Sequence, residues 1–344
     1  MSNPVLNDER AGAASRAAHA LRYIARDESL KAMIMSNPHY AALARRISAR
    51  FLAGDVISDA LVRARATNAL GHACTIDYMG ESCRDPIMAN SETEEFIRLI
   101  EQIGNGHINS SISLDVSHIG SVIDPGLGHT NLLRIVKGAA QIGQEVMVSM
   151  EGSERTEATI ETYAKACAEL GSSADMLGIT IQARMLRTDR DLEKLMPFPG
   201  RIRLVKGAYH EPADVAFEYD AAQTTERYLS FAKRLLRDGH KCSMATSDHH
   251  IQDELHSFIQ SNGLSAQPFE FEILMGLGSE RLDEMRRRGY ATREYIVFGR
   301  EWFLYVCNRI ADRPYRALTA IADAIGHPGV ELTDAINSKL ASNE

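Results

Sequence analysis

Several absences narrow the chain before anything present in it does. Its five cysteines, Cys74, Cys83, Cys167, Cys242 and Cys307, are odd in number, scattered, and never spaced Cys-x-x-Cys. That excludes a disulfide framework and a zinc knuckle and leaves reduced thiols in or near the core. No Gly-x-Gly-x-x-Gly follows the first strand-like run, Gly276-Leu-Gly278 comes late with no third glycine in register, and no Gly-x-x-x-x-Gly-Lys-Ser/Thr loop occurs. The nucleotide fingerprint of an open doubly wound sheet is therefore missing. No apolar run reaches membrane-spanning length, and the first twelve residues lack the basic-then-apolar order of a secretory signal, so the expectation is a cytoplasmic protein whose membrane contact is at most peripheral, at the inner face. A net charge of -8 excludes a surface built as a whole for nucleic acid, but leaves room for a local basic pocket.

With 344 residues, the chain is long enough to bury a large core. Residues 9–70 are rich in Ala, Arg and Leu, with apolar positions at helical spacing (Leu21, Ile24, Leu43, Ile47, Leu52), which predicts several helices broken at Pro38. Beyond them eight short apolar or β-branched runs appear: Cys74–Met79, Ser111–Val116, Glu145–Met150, Leu177–Gln182, Arg201–Val205, Cys242–Thr246, Phe269–Leu274 and Tyr295–Phe298. They alternate with amphipathic stretches at 92–103, 154–170, 188–195, 221–238, 250–262 and 279–288, and 301–312 follows the last. Eight such units over roughly 240 residues predict an α/β fold, a closed (β/α)8 TIM barrel, rather than an open sheet. The expected division is an N-terminal helical segment (1–70), the barrel (71–316), and a C-terminal helix and tail (317–344).

The run from Arg201 to Glu211 carries the strongest local chemistry. Arg203 and Lys206 flank two apolar residues, and Gly207-Ala208 leads into Tyr209, a pattern suited to a buried strand ending on an anionic ligand. In 300–313, Tyr305, Asn308, Arg309 and Asp312 share one helical face; taken alone, that face reads as a solvated stripe. Tyr209 and Tyr295, taken alone, read as barrel packing. Asp248-His249-His250 suggests a metal site, but no His-x-His ends the first strand and the two histidines open a helix, so no metal is expected.

From about residue 45 to 316, the chain resembles the proline dehydrogenase family of flavoenzymes. The resemblance rests on motifs in order: Phe51-Leu-Ala-Gly54, Asp77-Tyr-Met-Gly-Glu81, Arg203-Leu-Val-Lys-Gly-Ala-Tyr209 with Glu211-Pro212, Ala245-Thr246, Phe269-Glu-Phe271 with Leu274 and Gly276, Tyr295 with Gly299, and Tyr305-x-x-Asn308-Arg309-x-x-Asp312. It implies a distorted barrel holding non-covalent FAD, hydride removal from the carbon next to a secondary amine, and proline oxidised to 1-pyrroline-5-carboxylate with electrons passed on to a quinone or another acceptor. Carried over by position, Gln182, Arg203, Val205, Lys206, Gly207, Ala208, Tyr209, Thr246, Ser247, Asp248, Glu272, Ile273, Leu274, Arg309 and Asp312 would hold the flavin. Arg203, Tyr295, Tyr305 and Arg309 would serve catalysis, and Asp115, Ser149, Leu274, Tyr295, Tyr305, Asn308 and Arg309 would meet a small-molecule amine.

The likeness is uneven. Where the family fixes the substrate carboxylate with two arginines and a lysine paired to an aspartate, this chain has Asn308 for the first arginine, Asp115 for the lysine and Ser149 for the aspartate. Ser247 stands for a histidine, Glu272 for a glutamine, and Asp312 for a glutamate. A diverged amine dehydrogenase with another substrate, and a flavin-binding protein without turnover, are the alternative expectations.

Overall fold

The structure, a computed structural model, describes residues 16–25, 27–80, 82–209, 211–264 and 268–311. Expectations for Glu81, Asp312 and the 317–344 segment lie outside these residues. The chain divides into two compact units, Asp55–Gly299 and Met1–Gly54 with Arg300–Glu344.

The helical unit begins with α1 (residues 16–25), α2 (Glu28–Ser36) and α3 (Pro38–Ser48). The Asp27 carboxylate caps α2 by accepting from the amides of Ser29 and Leu30, and the Asn37 side chain caps α3 in the same way. Pro38 marks the expected break, because at the first turn of α3 its missing N–H costs nothing. Leu52, expected in a helix, lies beyond the end of α3.

The other unit starts with α4 (Ile57–Ala69) and then alternates strictly: β1 (Ala73–Tyr78), α5 (Pro86–Asn105), β2 (Ser110–Leu114), α6 (Pro125–Gln141), β3 (Val146–Val148), α7 (Thr156–Leu170), β4 (Leu177–Gln182), α8 (Thr188–Leu195), β5 (Ile202–Val205), α9 (Ala222–Arg237), β6 (Cys242–Ala245), α10 (His249–Ser261), β7 (Phe269–Leu274), α11 (Ser279–Arg287) and β8 (Ala291–Phe298). All eight strands pair in parallel, and β1 closes on β8 with Ala73 opposite Arg293 and Tyr78 opposite Phe298. The expected barrel is the observed one. One boundary and one element differ with a physical reason: β8 begins four residues before Tyr295, through the polar Thr292-Arg293-Glu294, and α6, not among the expected helices, fills a stretch whose glycines dilute its apolar pattern; β3 is also shorter and α5 longer than expected.

Strand alternation divides the barrel chemically. Ile76, Ile112, Leu114, Val146, Ile179, Leu204, Met244 and Phe271 are buried on the helix side, each contributing roughly 1.5–3 kcal/mol. The interior is polar. Near the N-terminal ends of the strands, Arg293 donates through Nε to Glu270 (2.7 Å) and through Nη1 to Ser111 (3.0 Å), while Ser243 also donates to Glu270 (2.6 Å). Arg201 reaches Glu270 (3.3 Å) and Glu145 (2.7 Å), and Lys241 lies 2.6 Å from Glu145. Burial alone raises the Glu145 carboxyl, but Arg201 and Lys241 outweigh it and hold the group at about 2.

The chain re-enters the helical unit with α12 (Trp302–Ala311). There Lys31 of α2 pairs with Glu301 at 3.2 Å, and the Arg45 guanidinium of α3 lies 6.0 Å from the centre of the Trp302 ring. All five cysteines are free and buried, as expected of reduced thiols. Among the described residues, no helix is long and apolar enough to cross a membrane.

Candidate active site

The expected site residues fall into three groups, of which the first two lie toward the C-terminal ends of the strands. The first is centred on Arg203, which β5 points into the interior. Its Nε donates to Glu272 Oε2 at 2.9 Å and its Nη1 to Ser113 Oγ at 3.1 Å, while Glu272 Oε1 accepts from Thr75 at 3.1 Å. Ser113 in turn lies 2.9 Å from Ser149, and the Arg203 guanidinium sits 4.8 Å from the centre of the Tyr295 ring. Arg203, Glu272, Tyr295 and Ser149 are thus brought to one point. Two buried polar atoms of the expected site residues on β4 and β5 lack partners, Arg203 Nη2 and Gln182 Oε1. Gln182 is two residues beyond Thr180, the register partner of Arg203, and its Nε2 donates to the Glu151 carbonyl at 2.8 Å.

The second group follows β5. Lys206 is buried, and its Nζ meets Asp248 at 2.7 Å and lies 5.7 Å from the Tyr219 ring centre. Burial opposes ionisation of Asp248, yet the Lys206 hydrogen bond and charge outweigh it and lower the carboxyl below its ordinary range. Asp248 also caps α10 by accepting from the His250 and Ile251 amides, so the histidines do open a helix, and its own amide donates to Thr246 Oγ1. Ser247 is partly accessible beside it. Between the two groups, Gly207 adopts φ +112°, and a Cβ there would lie 2.7 Å from Gln182 Oε1. Only glycine fits this conformation and lets the Gln182 and Arg184 side chains approach the backbone so closely. Val205 and Leu274 are partly accessible at the ends of β5 and β7, Ala208 and Tyr209 are exposed, and Ile273 points to the helix side of β7.

The third group is in the helical unit. Tyr305, Asn308 and Arg309 share one face of α12, with the Arg309 guanidinium 5.6 Å from the Tyr305 ring centre. Asp115 follows β2, partly accessible and engaged.

Three contributors lie outside the expected site residues: Asp77 and Glu211, which stood in the motifs without a role, and Arg184, which did not. Asp77 faces the interior from the end of β1, where burial pushes its carboxyl up to about 6 against hydrogen bonding from Tyr295 and the Arg203 charge. The Tyr295 hydroxyl is raised well above its ordinary value by burial and then by the Asp77 charge. Arg184 donates to the carbonyls of Phe217 (2.6 Å) and Tyr209 (2.7 Å), fixing the loop after β5. Glu211 accepts from the Ser153 amide (2.9 Å) and hydroxyl (2.5 Å), tying that loop to the one after β3. Period-two alternation in β1 and β2 signals the inward direction of Asp77 and Ser113; Glu211 stood in a family motif without an assigned role, and Arg184 had no signal beyond charge.

The residues suit a flavin. A buried donor, Arg203 Nη2, and a buried acceptor, Gln182 Oε1, on neighbouring strands and each without a partner, match a ring whose rim presents both acceptors and an N–H. Among the described residues, no group of three or more His, Cys, Asp or Glu could hold a metal ion.

Comparisons with known proteins converge. The sequence profile of the family described as Proline dehydrogenase matches residues 60–302. The chain is 35% identical over 268 residues to Proline dehydrogenase 1 of Bacillus subtilis (strain 168), covering 78% of this chain and 87% of that protein. It is 31% identical over 291 residues to Proline dehydrogenase of Deinococcus radiodurans, covering 83% and 93%. Among solved structures, proline utilization A from Bdellovibrio bacteriovorus, inactivated by N-propargylglycine, superimposes with a TM-score of 0.71 at 16% identity. That likeness covers 83% of this chain but only 36% of the longer one, and speaks for the fold.

Proposed function

The chain belongs to the proline dehydrogenase family, and from that premise we propose that it is an FAD-dependent dehydrogenase of proline or a proline-like secondary amine. The product is the imine, 1-pyrroline-5-carboxylate when the substrate is proline, and the electrons go on to a quinone or another acceptor. The observation that carries the reading is that two buried polar atoms on the neighbouring strands β4 and β5, Gln182 Oε1 and Arg203 Nη2, lack partners.

Bound FAD supplies the hydride acceptor. Arg203 and Gln182 would hold its ring, and Lys206 with Thr246, Ser247 and Asp248 would follow its chain. The chain's own part is positioning and electrostatics. Arg203 keeps a donor edge aimed into the site because Glu272, Ser113 and the Tyr295 ring hold its other side. Its charge would stabilise a reduced, negatively charged ring held there. The amine gives up hydride only when neutral, and binding it deprotonated requires no protein base.

The test is direct. The purified full chain, supplied with FAD, is expected to retain it and to lose its yellow colour when proline or a proline-like amine is added without oxygen. A chain unable to bind FAD would overturn the reading, and a bound flavin that no secondary amine reduces would leave only a binding protein.

A further inference from the structure

The mouth of the barrel is chemically lopsided. On the β4–β6 side stand Arg184, Arg203 and Lys206. The ends of β1–β3 carry instead Asp77, Ser113, Asp115 and Ser149, with the Tyr295 hydroxyl alongside; the described residues among 75–82, 111–118 and 146–152 include no Lys or Arg. Arg155, farther along the loop after β3, is turned to Glu151 and Ser82. Arg203, which reaches Ser113 from across the barrel, already has the Glu272 carboxylate on its Nε, and Ser149 meets Ser113 rather than the guanidinium.

We propose that the group a substrate places against the ends of β1–β3 is a hydrogen-bond donor, an amide or an ammonium, rather than a free carboxylate, and that Asp115 and Ser149 select for it. The preferred substrate is then a proline-like cyclic secondary amine whose carboxylate is masked or replaced. This rests on the function proposed above and names its substrate class.

The physical argument is one of complementarity. Carboxylates accept hydrogen bonds and cannot donate them, so an ammonium or amide N–H meets Asp115 and Asp77 with charge-assisted bonds. A substrate carboxylate in the same place meets like charge in a partly desolvated site, where repulsion is poorly screened. Serine and tyrosine hydroxyls accept from either donor, so they widen the class without admitting an anion preferentially.

The experiment uses the full chain loaded with FAD. Proline, prolinamide and 2-(aminomethyl)pyrrolidine are compared for anaerobic flavin reduction, and separately for the shift each causes in the melting temperature of the protein. The expected result is a half-saturating concentration at least tenfold lower for prolinamide or for 2-(aminomethyl)pyrrolidine than for proline; the better of the two distinguishes a neutral donor from a cation. Asp115→Asn is expected to shrink that advantage at least fivefold, and Asp115→Lys to reverse it towards proline, a gain that a misfolded variant cannot produce. Proline binding as well as or better than both analogues in the unsubstituted protein overturns the inference and leaves the function intact. Flavin that no cyclic amine reduces overturns the function, and the inference falls with it.

Discussion

Arg203 and Glu272 form a buried ion pair across the barrel interior, Nε to Oε2 at 2.9 Å, although β6 separates their strands. The pair occupies one edge of the guanidinium and leaves Nη2 unpaired. Arg203→Ala strands the Glu272 carboxylate and is expected to cost about 3–5 kcal/mol. Arg203→Lys keeps the charge but loses the fork, so it should melt closer to the unsubstituted protein while FAD affinity falls at least tenfold. Urea unfolding and FAD titration separate the two effects.

Gly207→Ala forces a left-handed backbone on an alanine and brings its Cβ to 2.7 Å from Gln182 Oε1. The expected cost is roughly 1–3 kcal/mol, with FAD retention reduced at least tenfold because Gln182 must shift. Flavin released on denaturation, measured per chain, reports it.

FAD itself should stabilise the fold. At a free concentration a hundredfold above its dissociation constant, a ligand specific for the folded state adds about 2.7 kcal/mol, which raises the melting temperature by several degrees. Gln182→Ala is expected to weaken that shift.

Asp77 gives a pH signature of one sign. Its carboxyl is raised to about 6 in the folded chain against 3.8 ordinarily, so the folded state binds the proton more tightly and stability falls as pH rises between those values. Asp77→Asn removes a charge that burial disfavours. Its melting temperature is expected to exceed that of the unsubstituted chain at pH 7.5, with the gain vanishing near pH 4.

Glu145 gives the opposite sign. Held at about 2 by Arg201 and Lys241, it contributes stability that is full above its ordinary 4.5 and is lost as pH falls towards 2. Glu145→Gln should cost roughly 2–3 kcal/mol at pH 7 by urea unfolding, and the two proteins should converge at the acid end.

The fold was legible because the strands are short apolar runs spaced by amphipathic helices. β4 and β7 end where the sequence pattern puts them, and α8 spans the expected residues. Legibility failed where the interior is polar. Thr292-Arg293-Glu294 carries no strand-like apolar signal, yet it belongs to β8, because Arg293 faces Glu270 inside and Glu294 pairs outside with Arg63 at 2.7 Å. The α6 stretch had readable start signals, with Asp124 capping and Pro125 in the first turn, but Gly126, Gly128 and Gly138 weakened its periodicity. In the site, motifs located Arg203 and Glu272, but no local pattern pairs residues 69 positions apart. Their partnership exists only once the barrel closes.

The interior network of Glu145, Arg201, Lys241, Glu270 and Arg293 sits near the strands' beginnings, away from the mouth. It fastens β3, β5, β6, β7 and β8 together without any side chain from the substrate end. Exchanges at Asp115 or Ser149 therefore alter what the mouth receives without loosening the staves. A scaffold built this way keeps the groups that hold the staves together apart from the groups that line the mouth.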